Sequence, residues 1–262
     1  MRPSGAELPV ARGRLWLERF RGGYLGQGPA SVWQVSVRDG HRGPVITLPQ
    51  RSALVAGTQA GLLLEVPQAT PAGPDFGLAL WTPGGPLRAL PHAPLWGYGV
   101  DVTPRLVAYG TGCQDRDTTA DPTYYATCPV LRVFDVATGR LLSFRKPPGT
   151  AGWMPPGLFT AQAIAPQDRM IAAYAATRPL GQGQGRLFVI RLTGATSRPV
   201  AVPSSAARLD PRTAWSADGS WLFYQGPGQR LWAYQVSSRK TRASRTPCCL
   251  YTVMAAFPSA RR

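Results

Sequence analysis

Trp215-Ser216-Ala217-Asp218-Gly219-Ser220-Trp221-Leu222-Phe223-Tyr224, followed by Gly226-Pro227-Gly228 and Leu231-Trp232-Ala233-Tyr234-Gln235-Val236, decides the reading of this chain. The stretch opens on a polar turn. It continues into an apolar run, breaks at a Gly/Pro pair and resumes as a second apolar run. Gly and Pro punctuate short extended segments, and aromatic and branched residues fill them, so the pattern is strand, turn, strand.

Degraded copies of the second run occur up the chain. They are Val32-Trp33-Gln34-Val35, Leu78-Ala79-Leu80-Trp81, Leu131-Arg132-Val133-Phe134-Asp135-Val136 and Leu187-Phe188-Val189-Ile190-Arg191-Leu192. Counting to Leu231, the first residues are separated by 46, 53, 56 and 44 residues. Blades of four-stranded propellers recur about every 40 to 50 residues. The two long intervals hold insertions, at Cys113 to Cys128 and Arg178 to Gly185. Each phrase follows another apolar run: Ala53-Leu54-Val55-Ala56 with Leu62-Leu63-Leu64, then Leu106 to Tyr109, Ile171 to Tyr174 and Trp221 to Tyr224. These runs are continuous, as a strand covered on both faces requires, whereas the phrases alternate and are expected to be outer, half-exposed strands. Arg38-Asp39-Gly40, Pro83-Gly84-Gly85, Ala137-Thr138-Gly139 and Asp218-Gly219 sit at strand ends and suit tight hairpins. No segment keeps a helical apolar period. The expected fold is therefore all-β, a β-propeller of about five recognisable four-stranded blades, either incomplete at its N-terminal end or a ring of five. Residues 1–30 read as a poorly defined segment or partial blade and 31–262 as the repeats. Tyr251 to Phe257 reads as an extra terminal strand of the kind that closes a ring by pairing with the first blade.

These residues carry a resemblance. Ser216-Ala217-Asp218-Gly219 with Trp221-Leu222-Phe223-Tyr224 resembles the S-P-D-G-x-x-L-x-[YF] signature of TolB-type and WD-repeat-like propellers. Ala165-Pro166-Gln167-Asp168 with Ile171 is an eroded copy, and Leu131 to Arg140 resembles the Asp-x-x-Thr-Gly ending of a blade. The likeness spans roughly residues 45 to 257. Ala217 stands where the signature has Pro, and no blade carries the Gly-His and Trp-Asp pair of WD repeats. The pair Cys113 and Cys128 before the Leu131 strand is also similar to envelope propellers of GC-rich Gram-positive bacteria. The resemblance implies the fold; its members serve peptidases, secretion and binding alike.

Composition narrows function further. In 262 residues, 44% are hydrophobic and 16% charged, which excludes a disordered chain. The net charge is +16, and Lys146 and Lys240 are its only lysines. An Arg excess reads either as a polyanion-binding surface or as the base composition of a GC-rich genome. The denser groups are Arg12, Arg14, Arg19, Arg21 and Arg239, Lys240, Arg242, Arg245. No run of 18 apolar residues predicts a transmembrane helix. Met1 to Val10 has no apolar core of a signal peptide, so an exported location requires a targeting segment outside this chain; otherwise the expectation is cytoplasmic.

Cys113 and Cys128 flank an insertion between two strands expected to form a hairpin, and are the disulfide candidate; free thiols and metal binding stay open. Between them lie Asp115, Asp117, Asp121, Tyr124 and Tyr125. The three Asp could serve a calcium loop or a solvated acidic loop, and without a turn Gly and a closing Glu they are not an EF-hand. Trp96, Tyr98 and Trp153, in Pro/Gly-rich connections, are candidates for a binding rim or for packing between blades. Cys248 and Cys249 form a vicinal pair, read as two thiols on opposite strand faces or as a strained disulfide. His41 and His92 lie beside Gly or Pro, and Glu7, Glu18 and Glu65 are the only Glu, so paired-carboxylate or nucleophilic catalysis has little material. No catalytic residue, metal or cofactor is expected. The functional expectation is a non-catalytic extracytoplasmic scaffold that binds a protein or a cell-envelope polymer through rim loops. The alternatives are a propeller capping a peptidase on a longer chain, and Arg-driven nucleic-acid binding. Specific nucleic-acid recognition is not expected, and oligomeric state is left open.

Overall fold

The computed structural model describes residues 14–19, 30–36, 38–49, 51–70, 73–92, 100–113, 127–154, 156, 163–177, 185–193, 197–203, 205, 213–226 and 230–247. These residues form strands, turns and bends, and no helix. Five sheets follow one another, each with its strands in chain order. The first holds β1 (Arg14–Arg19), β2 (Ser31–Ser36) and β3 (Ile46–Thr47). The second holds β4 (Ala53–Thr58), β5 (Gly61–Thr70), β6 (Gly73–Trp81) and β7 (Arg88–Ala89). The third holds β8 (Asp101–Val102), β9 (Leu106–Thr111), β10 (Val130–Asp135) and β11 (Leu141–Arg145). The fourth holds β12 (Gly152–Trp153), β13 (Met170–Ala176), β14 (Gly185–Arg191) and β15 (Val200–Ala201). The fifth holds β16 (Thr213–Trp215), β17 (Trp221–Gly226), β18 (Arg230–Gln235) and β19 (Lys240–Pro247). Antiparallel meanders repeated in this way are the blades of a β-propeller. Tyr251 to Phe257 lies outside the described residues.

The five repeated phrases fall on β2, β6, β10, β14 and β18. They are not the outermost strands, because β3, β7, β11, β15 and β19 lie beyond them. Their burial follows from this position. β10 alternates as expected, but Gly77 to Trp81 of β6 are all buried and β14 exposes only Arg186 and Arg191. The preceding runs behave as expected in β9, buried throughout, and in β13, buried beyond Met170. β17 differs, since Leu222 and Tyr224 are buried while Trp221 and Phe223 are only half-buried.

Two compact units divide the chain: Met1–Gly97 with Val102–Leu106 and Asp135–Arg140, and Tyr98–Asp101 with Val107–Phe134 and Leu141–Arg262. In the first, Val32 and Leu48 of the first sheet pack on Leu54, Leu62, Leu64, Val66 and Trp81 of the second. In the second, Ala172, Tyr174, Leu187 and Val189 meet Trp215, Leu222, Tyr224 and Tyr234. Burying each Leu or Val contributes about 1.5 to 3 kcal/mol.

Polar contacts between adjacent sheets of the second unit set their spacing. Asp101 Oδ2 accepts the amides of Ala163 and Ile164 at 2.9 and 2.6 Å. The Ala163 carbonyl accepts Trp215 Nε1 at 3.0 Å, and the Pro203 carbonyl accepts the Tyr224 hydroxyl at 2.9 Å. A buried donor without such a partner is costly, and these two rings enter the core where a carbonyl accepts them, whereas Trp232 Nε1 is buried with no partner among the described residues.

The turns carry the sequence signature. Asp218 Oδ1 accepts Ser216 Oγ at 2.6 Å and the Ser220 amide at 3.1 Å. Gly219 lies at φ +65°, and a Cβ there would overlap Gln167 Oε1. In the eroded copy, Asp168 holds the same place at φ +56°. In a second turn type, Ser36 to His41 and Asp135 to Arg140 are closed by matching backbone bonds, with Gly40 at φ +70° and Gly139 at +71°. Between Gln235 and Lys240 the corresponding left-handed residue is Arg239, at φ +56°.

Candidate functional site

The base of the Cys113 to Cys128 insertion is closed by a disulfide spanning 15 residues. Cys113 follows β9 and Cys128 precedes β10, so the bond joins the two chain ends that leave the third sheet. Gly110 makes room for it. A Cβ at Gly110 would overlap Cys128 Sγ and stand 3.0 Å from Cys128 Cβ and 3.2 Å from Cys113 Sγ. A glycine inside a strand often marks such a close approach.

The second foot of the insertion is fastened again by the backbone. Cys128 N donates to the Trp153 carbonyl at 2.7 Å, and Trp153 N donates to the Cys128 carbonyl at 2.8 Å. This antiparallel bridge joins the insertion to β12 of the fourth sheet. Thr127 and Cys128 are buried there. Gly152 is required opposite them, because a Cβ would lie 2.8 Å from Thr127 Cβ and 3.0 Å from the Cys128 amide. The disulfide therefore sits on a junction between two sheets.

Trp153 corrects the binding-rim reading. It is fully buried, donates Nε1 to the Phe144 carbonyl at 2.9 Å, and meets the Phe188 ring edge-on at 5.6 Å between centroids. Its ring fills the space between the third and fourth sheets and offers no face to a ligand. Its burial follows from the bridge to Cys128, a partner 25 residues away that local sequence does not reveal. Gly110, Gly152 and Thr127 escaped the sequence reading; Gly110 alone carries a signal, as a Gly inside an apolar run.

Asp115, Asp117, Asp121, Tyr124, Tyr125, Trp96 and Tyr98 lie outside the described residues, as do Cys248 and Cys249. His41 and His92 are exposed, and the His41 amide donates to Asp39 Oδ1 at 3.0 Å. Among the described residues no group of three or more His, Cys, Asp or Glu could hold a metal ion. Among the described residues no helix is long and apolar enough to cross a membrane.

In the first unit, Arg105 Nη2 and Nε bind Asp135 Oδ2 at 2.6 and 2.9 Å, while Asp135 Oδ1 accepts the Ala137 and Thr138 amides. Burial raises the Asp135 pKa, but the guanidinium and the two amides outweigh it and hold the carboxyl below its ordinary value.

No family model matches the chain, and no curated protein does. Solved structures similar to it include a putative TolB from Agrobacterium tumefaciens, at 13% identity and a TM-score of 0.43, over 82% of this chain and 75% of that one. TolB from Acinetobacter baumannii is similar at 10% identity and a TM-score of 0.40, over 82% of this chain and 48% of that one. Hydrazine synthase from Kuenenia stuttgartiensis is similar at 13% identity and a TM-score of 0.34, over 79% and 71%. The propeller assignment rests on the five successive antiparallel sheets.

Proposed function

We propose that this propeller is a non-catalytic, extracytoplasmic scaffold that captures a protein or a cell-envelope polymer through the insertion between Cys113 and Cys128. The observation that carries the reading is the double anchorage of that insertion, by the disulfide and by the Cys128–Trp153 backbone bridge. Fixing both feet of a loop on a buried sheet junction lowers the entropy lost when the loop binds. A disulfide persists in oxidising compartments, which supports an extracytoplasmic location. The intervening Asp115, Asp117, Asp121, Tyr124 and Tyr125 would supply acidic and aromatic contacts.

The test compares the intact protein, immobilised in its oxidised form, with a variant in which residues 115–126 are replaced by a short Gly/Ser linker. Both are offered the same envelope extract. The reading expects a bound component that the variant loses, with both proteins melting alike. Equal capture by the two proteins contradicts it.

A further inference from the structure

We propose that the outer edge of β19 docks an extended acidic peptide segment, which adds to the fifth sheet as a further strand. This site is independent of the stapled insertion. Outermost strands β3, β7 and β15 are two residues long and β11 is five, whereas β19 runs for eight, Lys240–Pro247. Among the described residues β19 pairs with β18 alone, so its other side presents backbone N–H and C=O groups to whatever lies there. Such an edge is a template for an incoming strand.

Charge chooses the partner. Arg239, Lys240 and Arg242 are exposed at the turn end of the β18–β19 hairpin. Among the described residues none of them has a carboxylate within ion-pairing distance. Asp218, the described carboxylate of this sheet, is engaged by Ser216 and Ser220. A second copy of the chain would set these cations against their own kind, which opposes edge-to-edge self-association. A strand carrying Glu or Asp at alternate positions meets them with opposite sign and also completes the backbone ladder. The register irregularity between Arg230 and Trp232, and Pro247 at the far end, limit the pairing window to the Lys240 end of the strand. A nucleic acid offers no matching ladder, and its binding would rest on charge alone.

The probe is a labelled peptide of roughly ten alternating Glu and Thr residues, enough to span one strand. Its comparison is the same peptide with every amide N-methylated, which keeps the charge and removes the donors from both of its edges. A decathymidylate serves as the nucleic-acid control. Binding to the intact protein is read by fluorescence anisotropy at about 50 mM salt, and the site by amide hydrogen exchange. The proposal expects saturable peptide binding with slowed exchange in 240–245. It expects a loss of roughly tenfold or more on N-methylation and in the double variant K240E/R242E, with the variant melting as the parent does. Equal binding of the N-methylated peptide, protection outside β19, tighter binding of decathymidylate, or no peptide binding would each overturn it.

Discussion

At the scale of single residues, the left-handed turn positions are the most exposed to test. Gly40, Gly139 and Gly219 were legible because glycine beside Asp or Thr announces a positive φ. Arg239 and Asp168 were not, because a side chain in that conformation leaves no mark in the sequence. An L-residue at positive φ is strained, so Arg239→Gly is expected to stabilise the protein by about 1 kcal/mol, read as a raised midpoint in urea unfolding. Asp218 supplies a second test. Hydrogen bonds from Ser216 and Ser220 hold its pKa down, from 3.8 to about 2. A carboxyl depressed in the folded state stabilises above the unfolded pKa, and that contribution is lost as pH falls through the folded value. The urea midpoint of the wild type should therefore fall between pH 3.8 and about 2 more steeply than that of Asp218→Asn. Parallel curves for the two proteins would contradict this.

At the scale of elements, the apolar runs share a feature the phrases do not. Those before the third, fourth and fifth phrases end on a buried tyrosine: Tyr109 in β9, Tyr174 in β13 and Tyr224 in β17. Burial pushes the first two up to about 12. A raised folded pKa leaves stability intact below the ordinary value of 10 and removes it as pH rises through about 12. The tyrosinate absorbance of Tyr109 and Tyr174, read as the difference between wild type and the Y109F/Y174F variant, is thus expected to rise together with loss of the β-sheet circular dichroism signal rather than ahead of it. Tyr224→Phe removes the bond to the Pro203 carbonyl and is expected to cost about 1 kcal/mol. Trp153→Ala empties a site between two sheets and is expected to cost about 3 to 5 kcal/mol in the same unfolding assay. A cost near zero would restore Trp153 as an exposed rim residue. The five phrases could be found because strands of six to nine residues show their apolar character. The two-residue strands β3, β7 and β15 could not, since two residues have no period. This is why the phrases were assigned to the outside of the blades.

At the scale of the whole molecule, repetition made the propeller readable, because each blade must solve the same burial problem with a similar run. The insertion was readable as a departure from that spacing. Its anchorage was not, because the bridge from Cys128 to Trp153 and the space beneath Gly110 arise only when distant strands meet. Closing a loop of 15 residues stabilises by about 3 kcal/mol, so Cys113→Ser with Cys128→Ser should lower stability by that order under non-reducing conditions. The proposed function requires that this bond exist in the native protein and hold both feet of the insertion. The most direct measurement is a peptide map of the protein purified from its own cells, without reduction and with free thiols blocked. One crosslinked peptide pair joining Cys113 to Cys128 is expected. Blocked, free thiols at both positions would contradict it, and with it the extracytoplasmic scaffold.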